Sequence, residues 1–434
     1  MYPNLYFAFY ELFGIDLPFL KLVNSFGFFV ALAFIAASMT LSRELKRKEE
    51  QGLLKGEKRK VIVGKKATPG EIASSTIIGF IFGFKFVWLG VNASEIFRGD
   101  TLPQEHIFSF DGSLLWGIIM AAAFGGWRWY ESKRNALDKP EEREETFHVW
   151  QNTGNITLVA AIGGIVGAKL FHLFENPDEF MQFFKNPSLE SFLGGLTIYG
   201  GLIMGTVACY IYARKKGIKF IHLADAAAPG LMLAYGIGRV GCQVSGDGDW
   251  GIPNTADKPG WLSWLPDWAW SYSYPNNVNG ILGPRSAGYT GKTIPIDDPA
   301  CAAELANPLS STQMCEGMIN GESVSVFKGY GTYLDPGVFP TPLYEVVMAL
   351  IIFAILWSLR KRIKIPGMIF AIYLIFNGFE RFWIEKIRVN STYQIFGTEI
   401  TQAEIISTII FLGGIFMALY LKRKHNGSST PSTA

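Results

Sequence analysis

Long apolar runs separated by short polar and basic stretches dominate the pattern of this 434-residue chain. A helix that spans the hydrocarbon core of a bilayer needs about 20 mostly apolar residues. Nine runs meet this requirement, and they lie near residues 20–41, 73–97, 113–130, 153–174, 193–213, 222–245, 341–359, 366–387 and 402–421. The pattern therefore predicts an all-α integral membrane protein, folded as one bundle of about nine transmembrane helices.

The composition agrees with a membrane protein. Hydrophobic residues make up 49% of the chain and charged residues only 18%, whereas a soluble domain usually carries about 25% charged residues. The net charge of +2 gives no support to a nucleic-acid partner. The N-terminal stretch has neither a basic region nor a small-residue cleavage site, so we expect no removable signal peptide.

Lys and Arg residues cluster between the apolar runs and predict the orientation. Five stretches on alternate sides of the nine segments hold 26 of the 39 Lys and Arg residues, and they cover residues 42–66, 127–150, 214–219, 360–364 and 422–424. Because positive loops face the cytoplasm, we expect an outward N-terminus and a cytoplasmic C-terminus. Residues 42–70 then form a basic cytoplasmic loop, and the polar tail 425–434 is predicted to be disordered.

The longest segment on the outer side runs from 246 to 340. It is rich in Gly, Pro and Asn, and it holds five of the twelve Trp residues, namely Trp250, Trp261, Trp264, Trp268 and Trp270. This cluster suits either a belt at the level of the lipid headgroups or the core of a small folded cap.

The four cysteines indicate no metal chemistry. Cys209 and Cys242 lie in apolar segments, and no CxxC or Cys/His spacing occurs, so we expect no metal site and no cofactor. Cys301 and Cys315 share the 246–340 segment. They could form a disulfide that closes a short loop, worth roughly 3 kcal/mol on the entropy model, or remain two free thiols.

Several ionisable residues fall at membrane depth, where charges are costly and usually mark function or an ion pair. They are Lys169, His172, Glu175, Arg239, Glu345, Glu380, Arg381 and Glu385. Arg381 and Glu385 are four residues apart, so on a helix they share a face and can pair. Lys169 and His172 are three residues apart and also share a face.

Arg239 stands in GIGRVGCQVSGDGDWG, residues 236–251, which contains six glycines. Glycine lets the backbone bend, and irregular backbone at membrane depth is tolerated where it lines a cavity. We therefore predict a broken helix and a polar cavity that opens outward. Arg239 and Arg381 could hold a lipid phosphate there, because guanidinium offers a planar bidentate fork. The alternative is that they form internal ion pairs with Asp247 and Glu385.

Five motifs in order carry a family resemblance. They are GAKLFHLFEN (167–176), GGLTIYGGLIMG (194–205), GRVGCQVSGDGDWG (238–251) after LADAAAPGLMLAYGI, FPTPLYE (339–345) and GFERFWIEKIR (378–388). Together they resemble the prolipoprotein diacylglyceryl transferase family. That family moves a diacylglyceryl group from phosphatidylglycerol to the lipobox cysteine of a prolipoprotein.

The resemblance implies a bacterial inner-membrane enzyme with seven family-like helices, a periplasmic cap and two extra segments, at 73–97 and 113–130. Its partners would be phosphatidylglycerol, a prolipoprotein signal peptide and membrane lipids.

The chain departs from the family pattern at several positions. Where the family signature has two Asn and a Glu, this chain has Cys242, Ser245 and Asp247. Tyr199 replaces the family's catalytic His in the second glycine-rich motif, and Phe26 stands for an N-terminal Tyr. Arg239 and Arg381 match the pattern.

The resemblance assigns catalytic roles to several residues, and the chemistry of each side chain decides which of these roles it can fill. Arg239 would hold the phosphodiester of the reacting lipid. Arg381 would be aligned by Glu385 and would hold the leaving phosphate or a second lipid. Three residues remain candidates for the base that deprotonates the thiol. Tyr199 has a reference pKa near 10 and suits hydrogen-bond donation better, His172 titrates closer to neutrality, and Asp247 is the third candidate.

Further positions are expected to line the lipid site. They are Gly241, Gln243, Ser245, Asp247, Lys169, Tyr344 and Glu345, with Glu345 orienting the site. Cys242 would be structural, because the attacking thiol belongs to the substrate. A rival hypothesis is a non-catalytic lipid-binding or lipid-translocating protein on the same bundle. A solute transporter ranks last because the sequence shows no convincing inverted repeat.

Overall fold

The computed structural model is mostly helical. It describes residues 1–92, 109–137, 140–178, 195, 197–279, 292–307, 310–390, 392–395 and 397–428. The described helices are α1 Leu5–Phe13, α2 Ser25–Glu50, α3 Pro69–Ile81, α4 Trp88–Val91, α5 Leu114–Asn135, α6 Thr153–Glu175, α7 Ile198–Lys215, α8 Phe220–Ser245, α9 Pro299–Ala306, α10 Thr341–Leu359, α11 Met368–Glu385 and α12 Gln402–Ser428. A π-helical stretch, Phe82–Val87, joins α3 to α4.

Short antiparallel strand pairs accompany the helices, so the all-α prediction was too strict. The strands are β1 Glu57–Val63, β2 Glu141–Phe147, β3 Lys292–Thr293, β4 Met314–Ile319, β5 Glu322–Phe327, β6 Thr332–Tyr333, β7 Thr392–Ile395 and β8 Thr398–Thr401. They pair as β1–β2, β3–β6, β4–β5 and β7–β8.

Six helical stretches in the described part of the chain are long and apolar enough to cross a membrane. They are Ser25–Glu50, Pro69–Val91, Val149–Glu175, Phe220–Ser245, Thr341–Leu359 and Gln402–Asn426. The chain is therefore a multi-pass membrane protein. The other three predicted segments contain α5, α7 and α11, and α11 carries three charged residues within its 18. That all nine cross the membrane stays a prediction.

Two boundaries differ from the sequence prediction. Helix α2 continues to Glu50, and β1 follows at Glu57, so the 42–70 segment is not simply a solvated loop. Strand β1 pairs with β2, so the two ends of the stretch 64–140 lie next to each other. Helix α12 reaches Ser428, into the tail predicted to be disordered. Residues 429–434 lie outside the described residues.

Local sequence sets the ends of the helices. The side chain of Asn24 accepts a hydrogen bond from the Gly27 amide at 3.2 Å and caps α2, as expected for an N-cap residue. Gly246 ends α8 in the left-handed region, with φ at 65°. Because glycine adopts this conformation without a Cβ clash, the chain turns back beside the end of α8.

Glycines set the closeness of helix packing. A Cβ added to Gly200 of α7 would lie 2.4 Å from the carbonyl oxygen of Gly167 in α6, so neither position accepts a larger residue at this spacing. In α8, Gly241 faces Phe29 and Gly236 faces Ala349. Such small-residue contacts are typical of membrane helices.

The predicted break in α8 is therefore wrong. The helix is continuous from Phe220 to Ser245, through Arg239. Gly230 and Gly241 allow close packing against α2 and Gly236 against α10, whereas a Cβ on Gly238 would meet nothing within 4 Å. The backbone leaves the helix only at Gly246.

The 246–340 segment folds over one end of the bundle with small cores of its own. Trp250, Tyr274, Leu334 and Val338 form one buried cluster, and Ile294, Ile319 and Val326 form another. Helix α1 joins it, since Phe7 stacks on Phe327 with ring centroids 4.5 Å apart. Trp261 and Trp264 are exposed, so only part of the Trp cluster is core.

Cys301 in α9 and Cys315 in β4 form a disulfide, with Cα atoms 6.1 Å apart. Of the two alternatives that the sequence left open, the structure has the paired one. The bond links helix α9 to the β4–β5 hairpin. Because the cores of this segment are small, a covalent link contributes a large share of its stability.

We expect thiol labelling to count two free cysteines in the unfolded, unreduced protein and four after reduction, measured by mass spectrometry. Replacing both Cys301 and Cys315 by Ala should lower the free energy of unfolding of the 246–340 segment by about 3 kcal/mol, because the unfolded chain regains loop entropy. Reduced wild-type protein is the matched control. Four labelled cysteines without reductant would contradict the pairing.

Candidate functional site

Glu345, the fifth residue of α10, is a carboxylate with no solvent exposure at the centre of an ionic cluster. Its Oε2 lies 2.8 Å from Nε of Arg239. Its Oε1 lies 3.4 Å from Nη1 of Arg381 and 3.3 Å from Nη1 of Arg388. A buried carboxylate is tolerated only when it is paired, and three guanidinium groups from α8, α11 and the chain just after α11 meet that need.

Asp249 forms a second bridge between two of these arginines. One of its oxygens lies 2.7 Å from Nη2 of Arg388, and the other contacts Nη1 of Arg239. Burial opposes ionisation of Asp249, but the charges of Arg388 and Arg239 outweigh it and lower the pKa of this carboxyl to about 2. The backbone carbonyl of Asp249 accepts from Thr341 Oγ1 at 2.9 Å, which fixes the loop to α10.

Arg381 is the most accessible of the three arginines. Its side chain is 25% exposed, compared with 13% for Arg239 and 8% for Arg388. Its Nη2 lies 2.7 Å from Glu385 Oε2, four residues further along α11. The sequence prediction of this pair is confirmed.

The cluster keeps donor capacity although each of its three arginines pairs with a carboxylate. Three arginines face the three carboxylates Glu345, Asp249 and Glu385. A guanidinium carries five N–H donors, and among the described residues Nη2 of Arg239 has no acceptor. An anion with several oxygens, such as a phosphate, can take this donor together with those of the more exposed Arg381.

The alternative of purely internal ion pairs is partly right. Arg381 does pair with Glu385, but Arg239 pairs with Asp249 and Glu345 rather than with Asp247. These pairs hold the arginines in place and leave donors over, so ion pairing and anion binding are compatible.

Two members of the site escaped the sequence prediction. The Tyr235 ring centroid lies 5.2 Å from Cζ of Arg239, and its hydroxyl donates to Glu380 Oε1 at 3.3 Å. Arg388 is the second. Helical spacing carried the signal for Tyr235, which is one turn before Arg239. Arg388 lies beyond the end of α11 at Glu385, so helical spacing gave no signal for it.

Tyr199, at the start of α7, joins the cluster. Its hydroxyl lies within electrostatic range of Arg381, Glu385 and Arg388. The glycine-rich motif that contains Tyr199 thus lies near Arg381 and Arg388. Tyr199 can donate a hydrogen bond to an anion that these arginines hold.

Lys169 and His172 lie in the last two turns of α6, and His172 packs against the same glycine-rich motif. Nδ1 of His172 is 3.2 Å from Nδ2 of Asn176. Gly195 packs on the ring so tightly that a Cβ there would lie 2.1 Å from His172 Nε2. Lys169 is buried. The described contacts of His172 thus hold its ring against the motif backbone.

Two of the predicted lipid contacts, Gln243 and Tyr344, have side-chain hydrogen bonds within the protein, whereas Oγ of Ser245 has none among the described residues. Gln243 accepts from the Tyr274 hydroxyl at 2.7 Å, and the Tyr344 hydroxyl donates to the carbonyl of Ala269 at 2.8 Å. Ser245 is fully buried. These contacts, with the packing of Gly241 on α2, hold the bundle and the 246–340 segment together, and a lipid contact for them stays a prediction.

Cys242 and Asp247 lie beside the arginine cluster. Sγ of Cys242 is 3.6 Å from Asp249 Oδ2 and 3.7 Å from Nη1 of Arg239. Burial, and then the charge of Asp249, raise the pKa of Asp247, which suits a proton acceptor. Ligand atoms of Cys242, Asp247 and Asp249 lie within 4.8 Å of one another. Because Asp249 already binds two arginines, we assign no metal to them.

Comparison with known proteins identifies the family of this chain. A model of the family "Prolipoprotein diacylglyceryl transferase" matches residues 107–420, more than half of the chain. The match includes helix α5, which overlaps residues 113–130, one of the two segments that the sequence predicted to be additions to the family pattern.

Curated relatives agree. A phosphatidylglycerol–prolipoprotein diacylglyceryl transferase of Corynebacterium glutamicum is 29% identical over 63% of this chain and 70% of its own length. One of Cutibacterium acnes is 25% identical over 74% of this chain and 82% of its own length. The arginine cluster is built from the motifs that carried the sequence resemblance, and the chain belongs to the prolipoprotein diacylglyceryl transferase family.

Proposed function

We propose that this protein transfers the diacylglyceryl group of phosphatidylglycerol to the cysteine thiol of a prolipoprotein, the first step of lipoprotein maturation. The thiolate sulfur forms a bond to the glyceryl C3 carbon. The bond between that carbon and the phosphate oxygen breaks, and glycerol phosphate leaves with the electron pair. The thiol proton passes to a base, since the thiolate is the nucleophile.

The observation that carries this proposal is the arginine cluster around Glu345. Arg239 and Arg381 are held in fixed positions by carboxylates, and both keep some exposure. Donors that are already in place stabilise charge that develops on a leaving phosphate without further reorganisation. Since each arginine of the cluster already pairs with a carboxylate, an incoming phosphodiester would bind to the N–H donors that these pairs leave over.

The proposed setting is the bacterial inner membrane, with the arginine cluster facing the periplasm. The ends of α2 and α10 and the start of α8 carry basic residues and meet around one cavity, while Arg239 lies near the opposite end of α8. Since basic ends face the cytoplasm, the 246–340 segment becomes a periplasmic cap. In this arrangement α5, α7 and α11 also cross the membrane, and the N-terminus faces outward.

Removing the guanidinium of Arg239 should abolish most transfer. We expect Arg239→Ala to lower kcat/KM by about 100-fold or more, as for the loss of a preorganised donor to developing charge. Arg239→Lys should recover only part of it, because the ammonium lacks the bidentate fork. The measurement is transfer of labelled phosphatidylglycerol to a lipobox peptide by the purified protein.

Arg143→Ala is the matched control, because Arg143 is an exposed arginine on β2 that pairs with Glu141. Thermal unfolding of each variant separates lost activity from lost folding. A wild-type protein that binds phosphatidylglycerol but transfers no label would favour the non-catalytic lipid-binding hypothesis.

The base can be located by three variants. We expect Tyr199→Phe to lower kcat by about tenfold or more, the scale of one hydrogen bond to a charged group, because Tyr199 lies within electrostatic range of Arg381. His172→Gln should have a smaller effect, since the ring of His172 is packed under Gly195. Asp247→Asn tests the third candidate.

The pH profile of kcat/KM distinguishes a base from a hydrogen-bond donor. When a base is lost, the rise of activity with pH through its pKa disappears. When a donor is lost, the profile keeps its shape at a lower level. A flattened profile in His172→Gln alone would assign the base to His172 and contradict the expected order.

Cys242 is predicted to be dispensable for the chemistry. Although its sulfur contacts Arg239 and Asp249, it is buried, and the attacking thiol comes from the peptide. Cys242→Ala should keep kcat within about threefold of wild type, the scale of one weak contact. A lipid-modified Cys242 detected by mass spectrometry during turnover would overturn this assignment.

A further inference from the structure

A second polar site lies at the other end of the bundle. A cavity of about 320 Å³ is enclosed where α2 and α10 end and where α8 and α11 begin. Helix α8 carries His222 at this end and Arg239 near the other. Their separation of 17 positions along the helix places the two about 26 Å apart at 1.5 Å per residue. The cavity is therefore separate from the arginine cluster around Glu345.

One carboxylate of the cavity is fully used within the protein. Glu44 is buried, and its two oxygens each lie 2.7 Å from a guanidinium nitrogen, one of Arg47 and one of Arg360. This pairing leaves Glu44 no demand for an external cation.

The other carboxylate is also used. Asp225 is buried, with one oxygen 3.4 Å from Nζ of Lys48 and 2.7 Å from the amide of Gly367. Its second oxygen accepts from the amide of Phe370 at 3.0 Å. Asp225 thus caps the start of α11, and its charge is taken up by the fold.

Positive charge remains in excess around the cavity. Its lining contains five cations and two carboxylates, a difference of +3, and these are Arg47, Lys48, Arg360, Lys361 and Lys364 against Glu44 and Asp225. Lys361 and Lys364 are exposed and form no ion pair in the described part of the chain. These two ammonium groups can turn to a ligand.

His222 supplies an independent observation. The residue is only 6% exposed and lines the cavity, and its Nδ1 has no hydrogen-bond partner among the described residues. A buried polar atom without a partner costs about 1–3 kcal/mol, so native structures rarely leave one. A ligand in the cavity would provide that partner.

We propose that this cavity binds a phosphate group, carried either by a membrane phospholipid or by a small soluble phosphate. A phosphate offers several acceptor oxygens and negative charge, which match Lys361, Lys364 and a proton on His222 Nδ1. Apolar side chains complete the lining, namely Leu53, Ile363, Ile365 and Ile369. They suit the glyceryl part of a lipid.

The test compares two probes on full-length purified protein. Phosphatidic acid is titrated into protein held in phosphatidylcholine nanodiscs, and inorganic phosphate is titrated separately. We expect Lys361→Ala with Lys364→Ala to raise the Kd of at least one probe about tenfold, since hydrogen bonds to charged groups are strong. His222→Leu should also weaken binding, and His222→Asn, which retains an amide near the Nδ1 position, less so.

The double variant Lys422→Ala with Lys424→Ala is the matched control. It removes the same charge from exposed lysines that do not line the cavity. The two lysines of the cavity variant are exposed, so folding should be retained, and thermal unfolding checks this. Transfer activity plays no part in the readout, so failure here is distinguishable from failure of the proposed enzyme function.

Each outcome decides the proposal. Loss of phosphatidic acid binding alone in the cavity variant identifies a lipid headgroup as the source of the phosphate, and loss of inorganic phosphate binding identifies a soluble ligand. Unchanged affinity for both probes would overturn the proposal. An equal loss in the Lys422 and Lys424 control would also overturn it, because the binding would then be general attraction to a basic membrane face.

Discussion

Glu345 is the constraint on which the functional end of this protein depends. A carboxylate without solvent exposure is unfavourable by itself, and breaking a buried ion pair typically costs about 3–5 kcal/mol. Here the carboxylate contacts three guanidinium groups. Because Arg239 is on α8, Arg381 on α11 and Glu345 on α10, one side chain fixes how three helices approach each other. The same contacts hold the arginines in the geometry that a phosphate would meet.

The 246–340 segment closes this arrangement from outside the bundle. Gly246 turns the chain at the end of α8, and Asp249 then bridges Arg239 and Arg388. Gly251 pairs with Arg388 as an isolated β-bridge, and a Cβ at Gly251 would lie 2.5 Å from the carbonyl of Ile387. The glycines of the signature therefore allow close backbone contact around the cluster.

The two ends of the bundle use carboxylates in different ways. At the Arg239 end, each arginine of the cluster pairs with a carboxylate, so an anion must be bound by donors that the ion pairs leave over. At the opposite end, Glu44 and Asp225 are satisfied by internal contacts, and Lys361 and Lys364 line the cavity without an ion pair in the described part of the chain. Placing anion-binding groups at both ends of one bundle is consistent with a protein whose surroundings and proposed substrate are phospholipids.

The sequence by itself determined the class of protein, the approximate positions of the long apolar helices, the pairing of Arg381 with Glu385 and the family. These follow from apolar length and helical spacing, which are local properties of the chain. Tertiary structure alone decided that α8 runs unbroken through Arg239, that Glu345 lies between three arginines, and that Asp249 rather than Asp247 pairs with Arg239. It also brought His222, Lys361 and Lys364 to one cavity. The reason is physical: partners far apart in the chain meet only when helices pack, and glycine in a sequence permits a bend or a close contact equally, so only the packing shows which one occurs.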